Sequence, residues 1–323
     1  MANVLVAGGG GFIGGHLVAN LIEEGHRVRA VDLKPLGCWY QPHDRSENIV
    51  ADLSLLDTAR AAASGQDVIY NLACDMGGMG FIENNRALCM LSVLINTHLL
   101  MAAREVGASR YFFSSSACVY AASHQNSAAV KALSEADAYP ADPEDGYGWE
   151  KLFGERMCRH FRDDFGLETR VARYHNAYGP FGTWEGGREK APAAICRKVA
   201  QAKLTGRHEI EIWGDGAQTR SFMFIDDCVY GTRLIADGAF AEPLNVGSAE
   251  LVTIDQLVSI IEAIASVQLD RTYNVSAPQG VRGRNSDNTL IKSLFGWEPS
   301  VSLTDGLAAT YEWIERKVIA SAQ

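Results

Sequence analysis

Apolar and polar positions alternate along the first half of this chain in a repeating strand and helix rhythm. Val4 to Ala7 is uniformly apolar and too short for anything but a buried strand. A glycine-rich break, Gly8 to Gly15, leads into apolar positions at helical spacing, Leu17, Val18, Leu21 and Ile22, stopped by Gly25. Val28 to Val31 is a second strand and ends on Asp32. A short strand follows over 48–53 and a fully apolar one over 67–73. A helix is predicted from about Leu88 to Glu105 on Leu91, Leu94, Ile95 and Leu99, ended by Gly107. The strand over 110–120 begins apolar and finishes in hydroxyls. Strands apolar along their whole length and separated by helices predict a parallel sheet covered on both faces, an α/β fold.

The pattern then changes. Residues 121–146 are polar, alanine-rich and proline-punctuated, long enough for a lid over a site. A helix is predicted from Tyr147 to about Phe165. A second domain begins near Asn176, while 221–227 and 243–247 have the apolar look of core strands. The expected division is a doubly wound Rossmann domain over 1–175, with returns at 220–248 and 304–323, and a smaller α/β substrate domain over 176–219 and 249–303.

Length changes this little: 323 residues suit about two domains. With 47% hydrophobic and 21% charged residues the balance is globular, and no apolar run is read as long enough for a membrane span. A strand starting at residue 3 leaves no room for a signal peptide. Seven scattered cysteines without a C-x-x-C pair argue for reduced thiols in a cytoplasmic protein and against a zinc site or disulfide frame. A net charge of −10 argues against nucleic-acid or membrane-surface partners, so any anionic ligand must be met by local cations.

Candidate chemistry is concentrated at strand ends. Strand, glycine turn, helix, strand and acid, in that order, build a dinucleotide site. Gly8 turns the chain off the strand, Gly11 lets backbone approach a pyrophosphate, and Gly14 lets helix and sheet pack closely. The first helical turn, with Phe12 and Ile13, offers unpaired N–H groups and the positive end of the dipole. Asp32 accepts from a ribose 2′-hydroxyl and repels a 2′-phosphate, which selects NAD over NADP, and Asp52-Leu53 falls at the adenine end. The glycines of 74–81, including Gly77, and the Ser114-Ser115-Ser116-Ala117-Cys118 run lie beyond the carboxyl ends of strands, where ligands bind in open α/β sheets. Tyr147 and Lys151 share one helical face at i and i+4, and the ammonium is expected to favour ionisation of the phenol as a proton acceptor.

With these residues in place, the chain resembles the extended short-chain dehydrogenase/reductase family of nucleotide-sugar enzymes. The glycine pattern, Ser116, Tyr147, Lys151 and the run Arg173 to Pro180 carry the likeness. The blocks 75–81, 115–118, 179–192, 213–222 and 280–288 are similar to the branch of that family that inverts C3 and C5 of GDP-mannose. The resemblance implies an NAD-dependent isomerase working as a homodimer, paired through helices near 91–106 and 147–165. In it Tyr147, Ser116 and Lys151 serve oxidation and re-reduction at C4, and Cys118 and Lys190 serve proton transfer at the carbons beside the ketone. It further implies substrate contacts from Gly77, Ser116, Ala117, Cys118, Asn176, Glu189, Lys190, Ala191, Lys198, Gln218, Thr219, Arg220 and Arg284. Lys198, Arg220, Arg282 and Arg284 are the cations that could neutralise a diphosphate.

Neighbouring chemistries fit less well. A 4,6-dehydratase would carry an Asp-Glu pair where Ala117-Cys118 stand. A 3,5-epimerase that also reduces with NADPH would want a cation in place of Asp32. A C4 epimerase needs no Cys/Lys pair and is the nearest alternative. A catalytically idle dinucleotide sensor has no use for an intact Ser116, Tyr147 and Lys151.

Overall fold

The computed structural model describes residues 1–322. The first body runs β1 (Asn3–Ala7), α1 (Phe12–Glu23), β2 (Arg27–Asp32), β3 (Glu47–Val50), α2 (Leu56–Ala63) and β4 (Val68–Asn71). It continues through α3 (Met79–Asn84), α4 (Arg86–Met90), α5 (Val93–Val106), β5 (Arg110–Ser116), α6 (Asp145–Phe165) and β6 (Thr169–Tyr174). Then come β7 (Ala177–Tyr178), α7 (Ala191–Thr205), β8 (Glu209–Trp213), β9 (Thr219–Ser221), β10 (Met223–Phe224), α8 (Ile225–Asp237) and β11 (Leu244–Val246). The chain closes with β12 (Leu251–Thr253), α9 (Ile254–Ala265), β13 (Asp270–Asn274), β14 (Gly283–Arg284), α10 (Thr289–Phe295) and α11 (Leu303–Ser321).

Seven strands form one parallel sheet in the order β11-β6-β5-β4-β1-β2-β3. Side chains alternate across it. Val4 and Val6 of β1 face the core made with Leu17, Val18 and Leu21 of α1, while Leu5 and Ala7 face the core made with Leu99 and Ala103 of α5. Both faces are therefore dry, which is why these strands read as unbroken apolar runs. The chain moves outward through β2 and β3, then crosses back to β4, so the strand order reverses between β1 and β4. The loops after those two strands touch: a Cβ on Gly8, whose φ is +82°, would lie 2.9 Å from the Ala73 nitrogen. That crevice is where an open α/β sheet takes its ligand.

Several boundaries differ from the sequence reading, each for a local reason. The helix expected over 88–105 is broken at Leu91-Ser92, where the buried Ser92 hydroxyl accepts a 2.9 Å hydrogen bond from the Asp75 nitrogen. The strand expected over 110–120 ends at Ser116, whose Oγ accepts from the Cys118 nitrogen at 3.2 Å and turns 117–119 into a single 3-10 turn. Of the two expected core returns, β11 joins the central sheet beside β6, whereas β10 pairs with β7 outside it. Of the stretch 304–323, expected to return to the first body, residue 323 lies outside the described residues and the rest falls in or just after the helix α11, whose main contacts are with α7 and α9 of the second body. Arg86–Val106, 21 residues of mean hydropathy 1.5, is long and apolar enough to cross a membrane by length and composition, contrary to the sequence reading. It is interrupted at Leu91-Ser92, and its second part, α5, packs on α2 and α6.

The long segment 121–146 is tied down rather than loose. Thr219 Oγ1 donates to the Ala128 carbonyl at 2.6 Å, the Arg282 nitrogen to the Gln125 carbonyl at 2.9 Å, and the Leu133 nitrogen to the Asn285 carbonyl at 3.0 Å. It thus lies across the β9–β14 edge of the second body.

Candidate active site

The crevice fits a dinucleotide. The N-terminus of α1 is capped by Gly11 without a side-chain bond, and no acidic residue stands in its first turn, so the N–H groups around Phe12 and Ile13 are left for an anion. A Cβ on Gly14 would lie 2.0 Å from the Gly8 carbonyl oxygen, so helix and turn touch as backbone. A Cβ on Gly11 meets only that same oxygen, at 3.0 Å, so its outward side is open. Asp32 ends β2 with one carboxylate oxygen accepting from the Lys34 nitrogen at 3.0 Å. Lys34 Nζ donates to the Gly10 carbonyl at 2.7 Å. Asp52 accepts from the Ser54 nitrogen at 2.9 Å, beside the buried Leu53.

Ser116, Cys118, Tyr147 and Lys151 come together between the end of β5 and the start of α6. Close packing brings them there: a Cβ on Gly148 would lie 2.3 Å from the Cys118 carbonyl oxygen. The Tyr147 hydroxyl is hydrogen-bonded to Ser116. Lys151 Nζ sits 5.6 Å from the Tyr147 ring centre, 4.9 Å from that of Phe113 and 3.5 Å from Glu150 Oε2. The expectation that the ammonium would ease ionisation of Tyr147 is corrected here. Burial pushes the phenol well above its ordinary value, Cys74, Cys118 and Glu150 add to that, and only the Ser116 bond opposes it. For Lys151 burial favours the neutral amine, but Cys74 and Glu150 outweigh it and keep the ammonium charged.

Lys190 approaches from the second body. It is the residue before α7, and the segment leading to it is bound to the loop after β4. The Gly78 nitrogen donates to the Arg188 carbonyl at 3.0 Å, Arg188 pairs with Asp75 at 2.5 Å, and a Cβ on Gly78 would lie 2.5 Å from the Glu189 carbonyl oxygen. Burial pulls Lys190 towards the neutral amine, and Cys118 is the foremost of the nearby groups opposing this. Burial likewise pushes the Cys118 thiol up, Glu144 adds to the push, and Arg284 opposes it. Burial thus pushes both groups towards their neutral forms.

The other expected contacts are distributed unevenly. Gly77 lies in the loop after β4, where a Cβ would meet Phe81 at 2.8 Å. Ala117 is buried in the turn with Cys118, and Ala191 opens α7. Asn176, at a φ of +44°, donates to the Ser221 carbonyl at 3.0 Å. Glu189 is held by Arg197 at 2.7 Å. Buried Gln218 donates to the Trp213 carbonyl and leaves its Oε1 without a partner, while Thr219 is spent on Ala128. Of the four cations, Arg282 pairs with Asp215 at 2.8 Å on the surface, and Lys198 donates to the Glu211 carbonyl at 2.6 Å. Arg284 is buried against Glu144. Arg220 donates only to backbone carbonyls and has no carboxylate partner among the described residues, which leaves its charge the most available for a diphosphate. Burial, with Arg284 nearby, pulls it down to about 10. Glu144 and Gln125 were not singled out from sequence, while Cys74 and Glu150 lie in stretches read as ligand-side, the loop after β4 and the Tyr147–Lys151 turn, without a role of their own. No spacing rule links Glu144 and Gln125 to the site, because both reach it through the fold.

No cluster of metal-ligating side chains occurs among the described residues, and all seven cysteines are free. The sequence matches the family model described as the NAD dependent epimerase/dehydratase family over residues 4–247. It is 46% identical to GDP-mannose 3,5-epimerase 1 of Oryza sativa subsp. japonica, over 98% of this chain and 82% of that protein. Its identity to GDP-mannose 3,5-epimerase of Arabidopsis thaliana is 43% over the same shares. Among solved structures, UDP-glucose 4-epimerase of Thermotoga maritima, with UDP-glucose, superposes with a TM-score of 0.87 at 25% identity, covering 98% of this chain and 99% of that one. UDP-glucuronic acid 4-epimerase of Bacillus cereus, in complex with UDP-glucuronic acid and NAD, gives 0.83 at 26% identity over the same shares. An uncapped glycine turn at the sheet's reversal, a Ser-Tyr-Lys centre beside it and a sequence match running through both lead to one assignment: the chain belongs to the NAD dependent epimerase/dehydratase family.

Proposed function

We propose that this protein is a nucleotide-sugar epimerase that inverts C3 and C5 of GDP-mannose through a transient ketone at C4. The observation carrying the reading is the approach of Lys190 to Cys118 beside the Ser116–Tyr147–Lys151 centre, together with the 46% identity to a GDP-mannose 3,5-epimerase. C3 and C5 hydrogens of a sugar are too weakly acidic to remove directly. A ketone at C4 places both carbons next to a carbonyl, and a positioned base can then take either proton.

NAD, when bound, supplies the acceptor and later the donor of hydride at C4. Burial keeps Tyr147 protonated in the free protein, and the positive charge of a bound nicotinamide beside Lys151 would favour its phenolate; in that form Tyr147 takes the C4 hydroxyl proton, Ser116 donates a hydrogen bond to the same oxygen, and Lys151 holds Tyr147 and the cofactor ribose. Cys118 and Lys190 then remove and return protons on opposite faces of the carbon being inverted. Arg220 and Lys198 meet the diphosphate, and the unpartnered Gln218 Oε1 accepts from the ligand.

The test is incubation with a panel of nucleotide hexoses in D2O without added reductant. Mass spectrometry counts the deuterons and NMR places them; label at C3 and C5 of GDP-mannose is the expected result. A second reading, C4 epimerisation, is favoured by the likeness to the 4-epimerases of known structure, and it predicts inversion at C4 with no deuterium at C3 or C5. A need for stoichiometric NADPH would replace both readings.

The homodimer belongs to this proposal. Leu91, Leu94, Trp149 and Phe153 are 57%, 40%, 48% and 51% exposed around the packed helices α5 and α6, and an apolar face of this kind is one a second copy would cover. The same pairing accounts for the apolar character of Arg86–Val106 without a membrane. Free cysteines and a net charge of −10 support a cytoplasmic protein with a small-molecule partner rather than a nucleic acid.

A further inference from the structure

The Cys118 sulfur lies at one end of a buried charge pair. Arg284 Nη1 donates to Cys118 Sγ at 3.6 Å, Nε to Gln125 Oε1 at 2.6 Å, and Nη2 to the Glu144 carboxylate. The Glu144 carboxylate is itself within hydrogen-bonding reach of the thiol. Its main chain is fixed on both sides: the nitrogen donates to the Cys118 carbonyl at 2.9 Å, and the carbonyl accepts from the Gly148 nitrogen at 2.9 Å. Glu144 therefore stands between the turn carrying Cys118 and the helix carrying Tyr147.

We propose that Glu144 is a positioning residue for epimerisation: its carboxylate holds Arg284 against Cys118 and, by balancing that charge, keeps the sulfur a thiol. This rests on the reading of Cys118 as a proton-transfer group. The charged and titratable groups facing the sulfur are Glu144, Arg284, Arg220, Lys190 and Tyr147, with the Ser116 hydroxyl bonded to it. Glu144 is the one carboxylate in this set. An unbalanced guanidinium beside a thiol favours the thiolate. With Glu144 in place the sulfur keeps its proton and can give it to the carbanionic carbon. The S–H bond breaks as the C–H bond forms, the electron pair stays on sulfur, and Arg284 is already in contact with the thiolate that results. Glu144 itself holds its charge, because Arg284 outweighs the effect of burial on the carboxyl.

The experiment reads the thiol and needs no substrate. Thiolate absorbance near 240 nm is titrated in the full-length protein, with the Cys118→Ala variant subtracted to isolate this sulfur. Glu144→Gln is expected to move the Cys118 titration about one pH unit or more to lower pH, roughly tenfold more thiolate at a fixed pH on the acid side. Glu144→Asp keeps the charge at a longer reach and is expected to fall between the two. A purely structural role for Glu144 predicts lowered thermal stability with the titration unmoved, and an unmoved titration in Glu144→Gln overturns the proposal. If the glutamine variant does not fold, the aspartate variant decides, and an unshifted curve there overturns it as well. The titration is independent of epimerase activity, so failure here is separable from failure of the proposed function.

Discussion

Replacing Cys118 with alanine separates the two halves of the chemistry. The side chain is buried, and the change removes one sulfur atom, a void of about one heavy atom costing roughly 1 kcal/mol. A fold with even about 5 kcal/mol of stability loses almost none of its folded population to that change. Loss of a proton-transfer group, by contrast, costs about 10²–10⁴-fold in rate. To imitate such a loss by unfolding, the variant would have to be mostly denatured, which circular dichroism detects. The assay compares wild type, Cys118→Ala and Tyr147→Phe at equal folded fraction, scored by deuterium incorporation at C3 and C5. Tyr147→Phe removes the acceptor of the C4 hydroxyl proton, so every later step stops. Cys118→Ala leaves Ser116, Tyr147 and Lys151 in place and should still oxidise C4, detected by borodeuteride trapping of the ketone, while exchange falls at least a hundredfold. Full exchange at both carbons in the alanine variant would show Cys118 to be packing and refute the reasoning.

Three further outcomes are expected. Asp32→Ala should cut the preference for NAD over NADP about tenfold to a hundredfold, the range for a hydrogen bond to a charged group, as read by calorimetric titration of both cofactors; tight NADP binding by the unaltered protein would defeat this. His175 is buried, its Nε2 is bonded to Asn245 Oδ1 at 2.9 Å and its Nδ1 has no partner, so a second proton finds no acceptor; burial drives its pKa down to about 3. The unfolded chain therefore binds the proton more readily, so stability from this group is complete above about pH 6.5 and declines towards pH 3, by roughly 2 kcal/mol at pH 5; denaturant midpoints for wild type and His175→Gln should converge as pH falls, and parallel curves would refute the assignment. Leu91→Glu with Trp149→Glu should turn a dimer into a folded monomer by sedimentation, and an unchanged mass would place the interface elsewhere.

Much of the fold was legible because local rules governed it. The β1–α1–β2 unit announces itself through an apolar run, glycines at fixed spacing and a terminal acid, and the structure builds it as read, with β1 also pairing with β4 and α1 packing on α8. Where tertiary contacts compete, the reading slipped. The helical pattern is interrupted at Leu91-Ser92, where a nitrogen 17 positions away reaches the Ser92 hydroxyl, a tertiary contact that periodicity does not show. The Tyr147 phenol was expected to ionise easily because i and i+4 residues share a face, yet that rule says nothing about burial, and burial dominates. Glu144 escaped notice since it meets Cys118 26 positions away across a turn, and its other partner, Arg284, stands 140 positions off, distances no spacing rule covers.

Lys190 rides on the second body, while Ser116, Cys118, Tyr147 and Lys151 all ride on the first. Parting the two bodies would leave Ser116, Tyr147 and Lys151 together while withdrawing Lys190 and Arg284 from Cys118, and with them the proposed diphosphate contacts Lys198 and Arg220. A sugar oxidised before closure would stay a ketone with its stereochemistry unchanged. On the proposed function, the ties of Arg188 to Asp75 and of the Gly78 nitrogen to the Arg188 carbonyl hold Lys190 beside the strand ends, so inversion depends on the two bodies staying together.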